Sequence, residues 1–223
     1  MRPVAHVITG SATSGVDTSK VVRNTYTLLA MTLLFSAVTA GISMAIQPPM
    51  FTGIVCSLGA LAMIWLVLPK TANSGAGIGV VFAITGLLGF GLGPLLTHYL
   101  AMPNGGSVVA MAMGSTAAIF LGLTGYVMVT KKDFSFMGGF LMIGILVAFL
   151  AGIGAAVFNV PGLSLAVSAV FIMLMGGKIL YDTSALVHGG ETNYIMATVS
   201  LYVSIYNLFL SLLHLLSAFA GER

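Results

Sequence analysis

Three charged side chains, Lys178, Asp182 and Glu191, lie close together near the end of a chain that has few charges elsewhere. The whole sequence holds eight basic and five acidic residues among 223, and apolar runs flank this segment on both sides. Lys178 and Asp182 stand at i and i+4, the spacing that brings two side chains together on one helix face. In apolar surroundings such a pair is either a structural ion pair or part of a pathway for protons or cations. The residues alone leave both readings open.

The elements that position these side chains are predicted to be membrane helices. Hydrophobic residues make up 58% of the chain and charged residues 6%, whereas soluble domains carry roughly a quarter charged residues. Apolar segments long enough to cross a bilayer alternate with short breaks rich in Pro, Gly or charge. They cover about 24–46, 51–69, 76–100, 106–130, 134–158, 162–188 and 193–219. We therefore expect an all-α membrane protein, with seven transmembrane helices in a domain over 24–219 and a polar N-terminal arm over 1–23.

Lysine and arginine in the connections set the predicted orientation, because these residues favour the cytoplasmic side. With the N-terminus inside, the cytoplasmic segments hold six of them: Arg2, Lys20, Arg23, Lys70, Lys131 and Lys132. The opposite side holds only Arg223. We expect a cytoplasmic N-terminus with a cytoplasmic arm, a periplasmic C-terminus, and a cytoplasmic connection around Glu191.

Polar residues form a stripe along each of the last two predicted helices. The sixth helix bears one at Ser164, Ser168, Phe171, Met175, Lys178 and Asp182, and the seventh at Ser200, Ser204, Asn207, Ser211 and His214. If the chain turns back at 188–192, Asp182 lies level with Ser200, Lys178 with Ser204, and Met175 with Asn207. An isolated charge at this depth costs at least about 2.5–3.5 kcal/mol, so we expect the two stripes to face each other.

The turn between these helices carries capping signals. Gly189 and Gly190 suit the C-terminal cap of the sixth helix, and Thr192 suits the N-cap of the seventh. Glu191 is favoured at the positive end of the seventh helix dipole. A functional reading adds that Glu191 lies at the cytoplasmic mouth above Asp182.

Small residues at every fourth position predict close helix packing in lipid. They recur in the fourth helix at Ala110, Gly114, Ala118 and Gly122, and in the fifth at Gly144, Ala148, Gly152 and Ala156. The third helix is Gly-rich over 86–94.

The sequence lacks the residue sets of common membrane enzymes. An aspartyl protease needs a second aspartate beside Asp182, and neither a GxSG nor an HExxH motif occurs. His98 and His214 lack a carboxylate or second histidine at metal-ligand spacing, and no basic stripe with interleaved aromatics indicates nucleic acid. We predict a protein that is not an enzyme, with no catalytic residues, no metal site, no cofactor and no nucleic-acid partner.

Two segments resemble the Bax inhibitor-1 family. They are "LYDTSALVHGGETNYIMATVSLYVSIYNLFLSLL", which matches its last two helices, and the Gly-rich "TGLLGFGLGPLL". The resemblance extends over nearly the whole chain and is strongest to the proteobacterial inner-membrane branch. It implies six helices around a central seventh, and a multi-pass protein of the bacterial inner membrane. One member of that branch is a substrate and modulator of a membrane-anchored, ATP-dependent AAA protease.

For some members the resemblance also implies a pH-sensitive calcium leak gated by aspartates on the sixth and seventh helices. Asp182 matches the first of these, but Ser204 stands where the calcium-leak branch has the second. One carboxylate beside Lys178 cannot reproduce two carboxylates that share a proton.

Three functions follow as hypotheses. The first is modulation of membrane-protein quality control through binding or inhibition of the AAA protease and its associated membrane complex, with the arm 1–23 as the handle. The second is a calcium or proton leak gated around Asp182 and Lys178, lined by Ser200, Ser204, Asn207 and Glu191, with Ca²⁺ as the transported ion. The third is a structural membrane scaffold in the lipid bilayer.

Overall fold

A computed structural model describes residues 17–221, and every regular element among them is helical. Seven of these helices are long and apolar enough to cross a membrane. In chain order we label them α1 Thr18–Ile46, α2 Phe51–Thr71, α3 Ala76–Leu100, α4 Gly105–Thr130, α5 Ser135–Val157, α6 Pro161–Val187 and α7 Tyr194–Gly221. The seven spans predicted from the sequence are thereby confirmed.

Helix α1 begins earlier than the apolar pattern indicated. It starts at Thr18 after Asp17, so residues 18–23 of the predicted arm are helical. Lys20 and Arg23 excluded this first turn from the predicted span, although charged residues outside the apolar region are compatible with a continuing helix. The rest of the predicted arm, residues 1–16, lies outside the described residues.

Helix α2 widens near its end. Residues Met63–Val67 have π-helical hydrogen bonding and directly precede a short α-helical turn that contains Pro69. Proline lacks a backbone N–H, and its ring clashes with the carbonyl one turn earlier. A wider turn is one way to accommodate both effects without ending the helix.

Close packing of α3 against α1 depends on glycine. A Cβ added at Gly89 would overlap the Ser36 carbonyl oxygen, and one added at Gly93 would overlap the Ser43 side chain. These glycines therefore let the two backbones approach, as the Gly-rich segment predicted.

The small-residue prediction holds for most of α5, where Gly144, Ala148 and Gly152 are at least partly buried and Ala156 is exposed, and it fails for α4. A Cβ at Gly144 would lie 2.8 Å from Leu174 Cδ2 on α6, so α5 packs closely there. On α4, Ala110, Gly114, Ala118 and Gly122 are all exposed. The buried face of α4 carries Val108, Ala112, Thr116, Thr124 and Val127 instead. Spacing predicted a stripe on one face but could not tell whether that face points to another helix or to lipid.

Helix α7 packs against α1, α3, α4 and α6. Its Tyr202 is 2% exposed, and the hydroxyl lies 2.5 Å from Ser36 Oγ of α1 and 3.4 Å from the Thr85 carbonyl oxygen of α3. This buried tyrosine therefore joins three helices. The arrangement of six helices around a central seventh, and the orientation of the bundle in the membrane, remain predictions.

Candidate functional site at the α6–α7 hairpin

The turn between α6 and α7 is built by its two glycines. Gly189 has φ +73°, in the left-handed region where glycine is favoured. Its N–H donates to the Leu186 carbonyl at 3.4 Å, and the Gly190 N–H donates to the Ala185 carbonyl at 2.8 Å. This is the Schellman arrangement that ends many helices, and it confirms the predicted glycine cap.

The N-cap of α7 is Asn193, so the prediction of Thr192 was wrong. Asn193 Oδ1 accepts hydrogen bonds from Ile195 N at 2.9 Å and Met196 N at 3.2 Å. Its amide group donates to the Ala72 carbonyl at 3.0 Å. Asn193 is favoured over Thr192 as the cap because its side chain caps α7 and also binds the α2–α3 connection. A serine or threonine in this place could not make all of these bonds.

Glu191 takes part in the same turn. Its carboxylate accepts a hydrogen bond from Asn193 N at 2.7 Å and lies just before the start of α7. This position fits the predicted interaction with the positive end of the helix. Its place at a mouth above Asp182 remains a prediction.

Lys178, Asp182 and Ser200 form a closed ring of hydrogen bonds between α6 and α7. Lys178 Nζ lies 2.5 Å from Asp182 Oδ1 and 2.6 Å from Ser200 Oγ. Ser200 Oγ in turn donates to Asp182 Oδ2 at 2.8 Å. The Asp182 and Lys178 side chains are 10% and 25% exposed. The predicted pairing of Asp182 with Ser200 is confirmed, and the two polar stripes meet at this position.

This ring explains how two charges are tolerated among apolar helices. Both carboxylate oxygens of Asp182 have a donor, and the ammonium of Lys178 has two acceptors and lies 5.7 Å from the centre of the Tyr181 ring. A buried charge that is paired and hydrogen-bonded avoids most of the cost of an isolated one. Chemically, the ring is a neutral, closed polar site. A cation would reach the carboxylate by competing with Lys178 at Oδ1 or with Ser200 at Oδ2.

Ser204 and Asn207 are arranged differently from the prediction. Ser204 Oγ donates to the Ser200 carbonyl at 3.0 Å, and Asn207 Nδ2 donates to the Val203 carbonyl at 2.8 Å. Both bonds stay within α7. The predicted pairing of Lys178 with Ser204 was wrong, because the long lysine stem carries the ammonium one turn further, to Ser200. Ser204 is nevertheless buried at 2% exposure, on the side of α7 adjacent to Ser200.

The polar contact between α6 and α7 continues at the other end of the hairpin. Ser168 Oγ lies 2.8 Å from His214 Nδ1. His214 belongs to the polar stripe predicted for α7, and this contact pairs it with the stripe of α6.

Helix α6 also contacts segments other than α7, which the spacing of its residues did not predict. Tyr26 of α1 lies with its hydroxyl 3.3 Å from Thr183 Oγ1, directly beside Asp182. Phe134 N, in the α4–α5 connection, donates to Ser184 Oγ at 2.9 Å. The available signal was the polar run of Asp182, Thr183 and Ser184, which extends around the helix and therefore faces more than one neighbour.

Sequence comparison extends over the same helices. Residues 18–221 match the family described as "Inhibitor of apoptosis-promoting Bax1". The chain is 49% identical over 204 residues to "Modulator of FtsH protease YccA" of Escherichia coli K12, covering 92% of each chain. It has the same identity and coverage with "Inner membrane protein YccA" of Escherichia coli O6:H1. It is 45% identical over 208 residues to an "Uncharacterized membrane protein" of Vibrio cholerae, covering 93% of each.

These matches span every described helix, including the hairpin that carries the Lys178–Asp182–Ser200 ring. Together with the seven apolar helices, they place the chain in the inner membrane, and they establish that it is a multi-pass member of the Bax inhibitor-1 family.

Proposed function

We propose that this protein modulates membrane-protein quality control by binding, and thereby inhibiting, a membrane-anchored ATP-dependent AAA protease. The observation that carries the proposal is the relative named "Modulator of FtsH protease YccA", which is 49% identical across 92% of both chains. At that coverage the two proteins share the whole membrane domain. The role is not enzymatic, and it uses no cofactor.

The fold supports a contact made within and beside the bilayer. Connections between consecutive described helices are short, so no soluble domain is inserted between them. A partner must therefore contact the helices, their connections or the N-terminal arm. We propose that the arm, residues 1–23, lies in the cytoplasm and the C-terminus in the periplasm, as the distribution of Lys and Arg predicts. A polar segment on the cytoplasmic side is suited to engage an ATP-driven protease and its associated membrane complex.

The test is reconstitution of the chain with the purified protease in lipid nanodiscs. Degradation of a membrane-protein substrate is measured with and without the chain, and binding is measured by co-purification. We expect the full chain to bind and to slow degradation. Deletion of residues 2–16, which leaves Asp17 and the start of α1 intact, should abolish both effects. A scrambled 2–16 segment of equal length and composition is the matched control.

Two results would separate the parts of this proposal. Unchanged degradation in the presence of an excess of the full chain would overturn protease modulation. Unchanged binding and inhibition after deletion of 2–16 would overturn the role of the arm but leave modulation standing.

A second candidate function is a cation or proton leak gated at Asp182. It is favoured by the ring of Lys178, Asp182 and Ser200, which is an uncommon and costly feature for a membrane interior. In this candidate the ammonium of Lys178 closes the path, Ser204, Asn207 and Glu191 line it, and Ca²⁺ or a proton is the cargo. Opening requires protonation of Asp182 or displacement of Lys178 by a cation.

Flux of calcium and of protons into liposomes, measured against pH, tests this candidate. We expect Asp182→Asn to change the flux, and Ser204→Asp to increase its calcium sensitivity by supplying a second carboxylate. Asp17→Asn, at the exposed start of α1, is the matched control. Absent flux, or equal flux in wild type and Asp182→Asn, would remove the leak. If replacing both Lys178 and Asp182 with apolar residues left every activity unchanged, the ring would be part of a structural scaffold only.

A further inference from the structure

The α4–α5 connection, residues 131–134, folds back against the end of α6. It begins at Lys131, the C-cap of α4, which has φ 51°. Two side chains of α6 and its cap hold it: Ser184, which accepts from Phe134 N at 2.9 Å, and His188. The sequence had assigned this charged connection a role only in setting orientation.

His188 lies between two backbone carbonyl oxygens. Its Nε2 is 2.9 Å from the Lys131 carbonyl oxygen, and its Nδ1 is 2.9 Å from the Ser184 carbonyl oxygen. A carbonyl oxygen only accepts hydrogen bonds, so each ring nitrogen must donate to complete its contact. Neutral imidazole carries one N–H, whereas imidazolium carries two. The geometry is therefore satisfied by the charged form of His188.

The neutral form leaves one contact unmade. With the proton on Nε2, the Nδ1 lone pair faces the Ser184 carbonyl oxygen. The other group near Nδ1 is the Ser184 hydroxyl at 3.5 Å, but that hydroxyl also lies 3.4 Å from Asp133 Oδ1 and has a single proton to donate. With the proton on Nδ1, the contact with Lys131 is lost. The first tautomer places two lone pairs against each other at Ser184, and the second loses the hydrogen bond to Lys131. Either neutral tautomer therefore weakens the attachment of the ring between the two carbonyls.

Helix ends and nearby charge favour a cation at this place. Lys131 and Ser184 contribute carbonyls from the last turns of α4 and α6, which are the negative ends of two helix dipoles. The charged groups on the segments around His188 are Lys131, Lys132 and Asp133 in the connection, Glu191 in the α6–α7 turn, and Asp17 and Lys20 at the start of α1. Of these, Asp133 interacts electrostatically with His188.

Asp133 does not titrate in the same range as a histidine. The pKa of its carboxyl lies below the ordinary value of 3.8, chiefly because Ser135 N donates to it at 2.8 Å, with smaller contributions from the charge of His188 and the hydroxyl of Ser184. Asp133 therefore stays ionised at neutral and mildly acidic pH. His188 is exposed at the surface.

We infer that His188 is a proton-operated latch, which fastens the start of the α4–α5 connection to the end of α6 when its ring is charged and releases it when the ring is neutral. The fastened state holds one more proton than the released state. Lowering the pH therefore favours fastening, and raising it favours release. Phe134 stays attached through Ser184, so release is confined to 131–133. The latch does not depend on either proposed function.

Spin labelling tests the latch in the full chain. Cys56 is the only cysteine, so Cys56→Ala gives a background in which Lys132→Cys carries a single nitroxide. In lipid nanodiscs between pH 5 and 8.5, we expect the label to change from mostly immobile to mostly mobile. Around the midpoint the ratio of the two populations should change by up to about tenfold per pH unit, the limit for one proton.

Two substitutions at the latch make opposite predictions. His188→Gln cannot become charged, so the label should be mobile at every pH. His188→Lys keeps a positive charge with several N–H donors, so the label should be immobile throughout. His214→Gln, at the other end of the α6–α7 hairpin, is the control and should keep the transition. A wild-type label that does not respond to pH, or a transition that persists in His188→Gln or His188→Lys, would overturn the latch. If one of the His188 variants does not fold, the other still decides the question.

Discussion

The coupling between Lys178 and Asp182 can be measured by a double-mutant cycle. Lys178→Met removes the ammonium and leaves the Asp182 carboxylate, whose side chain is 10% exposed, with Ser200 as its remaining donor. Loss of one partner from a buried pair costs about 3–5 kcal/mol. We expect about 3 kcal/mol, the lower end of that range, because Lys178 is 25% exposed and the pair is therefore not fully enclosed by protein.

The reverse substitution should cost less. Asp182→Asn keeps an acceptor for Ser200, and Lys178 keeps Ser200 as an acceptor, so a loss of about 1 kcal/mol is expected, near the cost of a weakened hydrogen bond. The double variant contains no unpaired charge and should also lose about 1 kcal/mol. The expected coupling energy is thus about 3 kcal/mol, the upper end of the range for residues in contact.

Unfolding by sodium dodecyl sulfate in mixed micelles gives the free energy of unfolding for each variant. The exposed pair Lys20–Asp17, with N and O 3.4 Å apart and side chains 69% and 49% exposed, is the matched control. The same cycle there should show no measurable coupling, because exposed ion pairs are screened by water. A coupling at Lys178–Asp182 below about 0.5 kcal/mol, the usual limit of additivity, would refute the view that the ring is a tightly coupled unit.

Five further substitutions, two of which are controls, test the packing and the turn, each measured by the same unfolding assay. Gly93→Ala should destabilise the protein by about 1–3 kcal/mol through overpacking against α1. Gly79→Ala is the control and should be neutral or stabilising, because Gly79 has open space around it. Equal effects of the two substitutions would contradict the close approach of α1 and α3. Asn193→Ala should cost about 1 kcal/mol or more through loss of a helix cap, and Thr192→Ala should cost nothing measurable; a larger loss from Thr192→Ala would restore the sequence-based assignment of the cap. Tyr202→Phe should cost about 1 kcal/mol, the usual contribution of a hydrogen bond, and an unchanged free energy of unfolding would show that its buried hydroxyl does not stabilise the bundle.

Hydropathy predicted the helices well because lipid allows few alternatives to a helix. The ends of α3 and α4 agree with the predicted spans. The start of α1 does not, because apolarity reports where the membrane begins and not where the helix begins. At the start of α7, Thr192 was the predicted cap and Asn193 is the observed one, and both residue types are good caps. Asn193 also donates hydrogen bonds to Ala72 and Asn73, and these contacts join segments far apart in sequence.

The candidate site was predicted only in part, again because some of its contacts join segments that are far apart in sequence. The spacing of Lys178 and Asp182 on one helix, and their level relative to Ser200, follow from helix geometry and a short turn. The direction in which the long Lys178 side chain extends does not follow from helix geometry, so the predicted pairing of Lys178 with Ser204 was wrong. The contacts of His188 and Ser184 with the α4–α5 connection depend on where a loop folds in space, and no periodic pattern records that.

The bond between Ser36 and Tyr202 has a consequence for synthesis of the chain. These residues are 166 positions apart, so α1 enters the bilayer long before its polar partner on α7 is made. Its main neighbour α3 also emerges later. The Thr32 hydroxyl has a hydrogen-bond partner as soon as α1 forms, because it donates to the Leu29 carbonyl within the same helix at 2.9 Å. The Ser36 hydroxyl, in contrast, bonds to Tyr202 only after the last helix has been made. In a chain that ends before Tyr202 this hydroxyl lacks its partner. The final packing of the first helix therefore depends on completion of the last one.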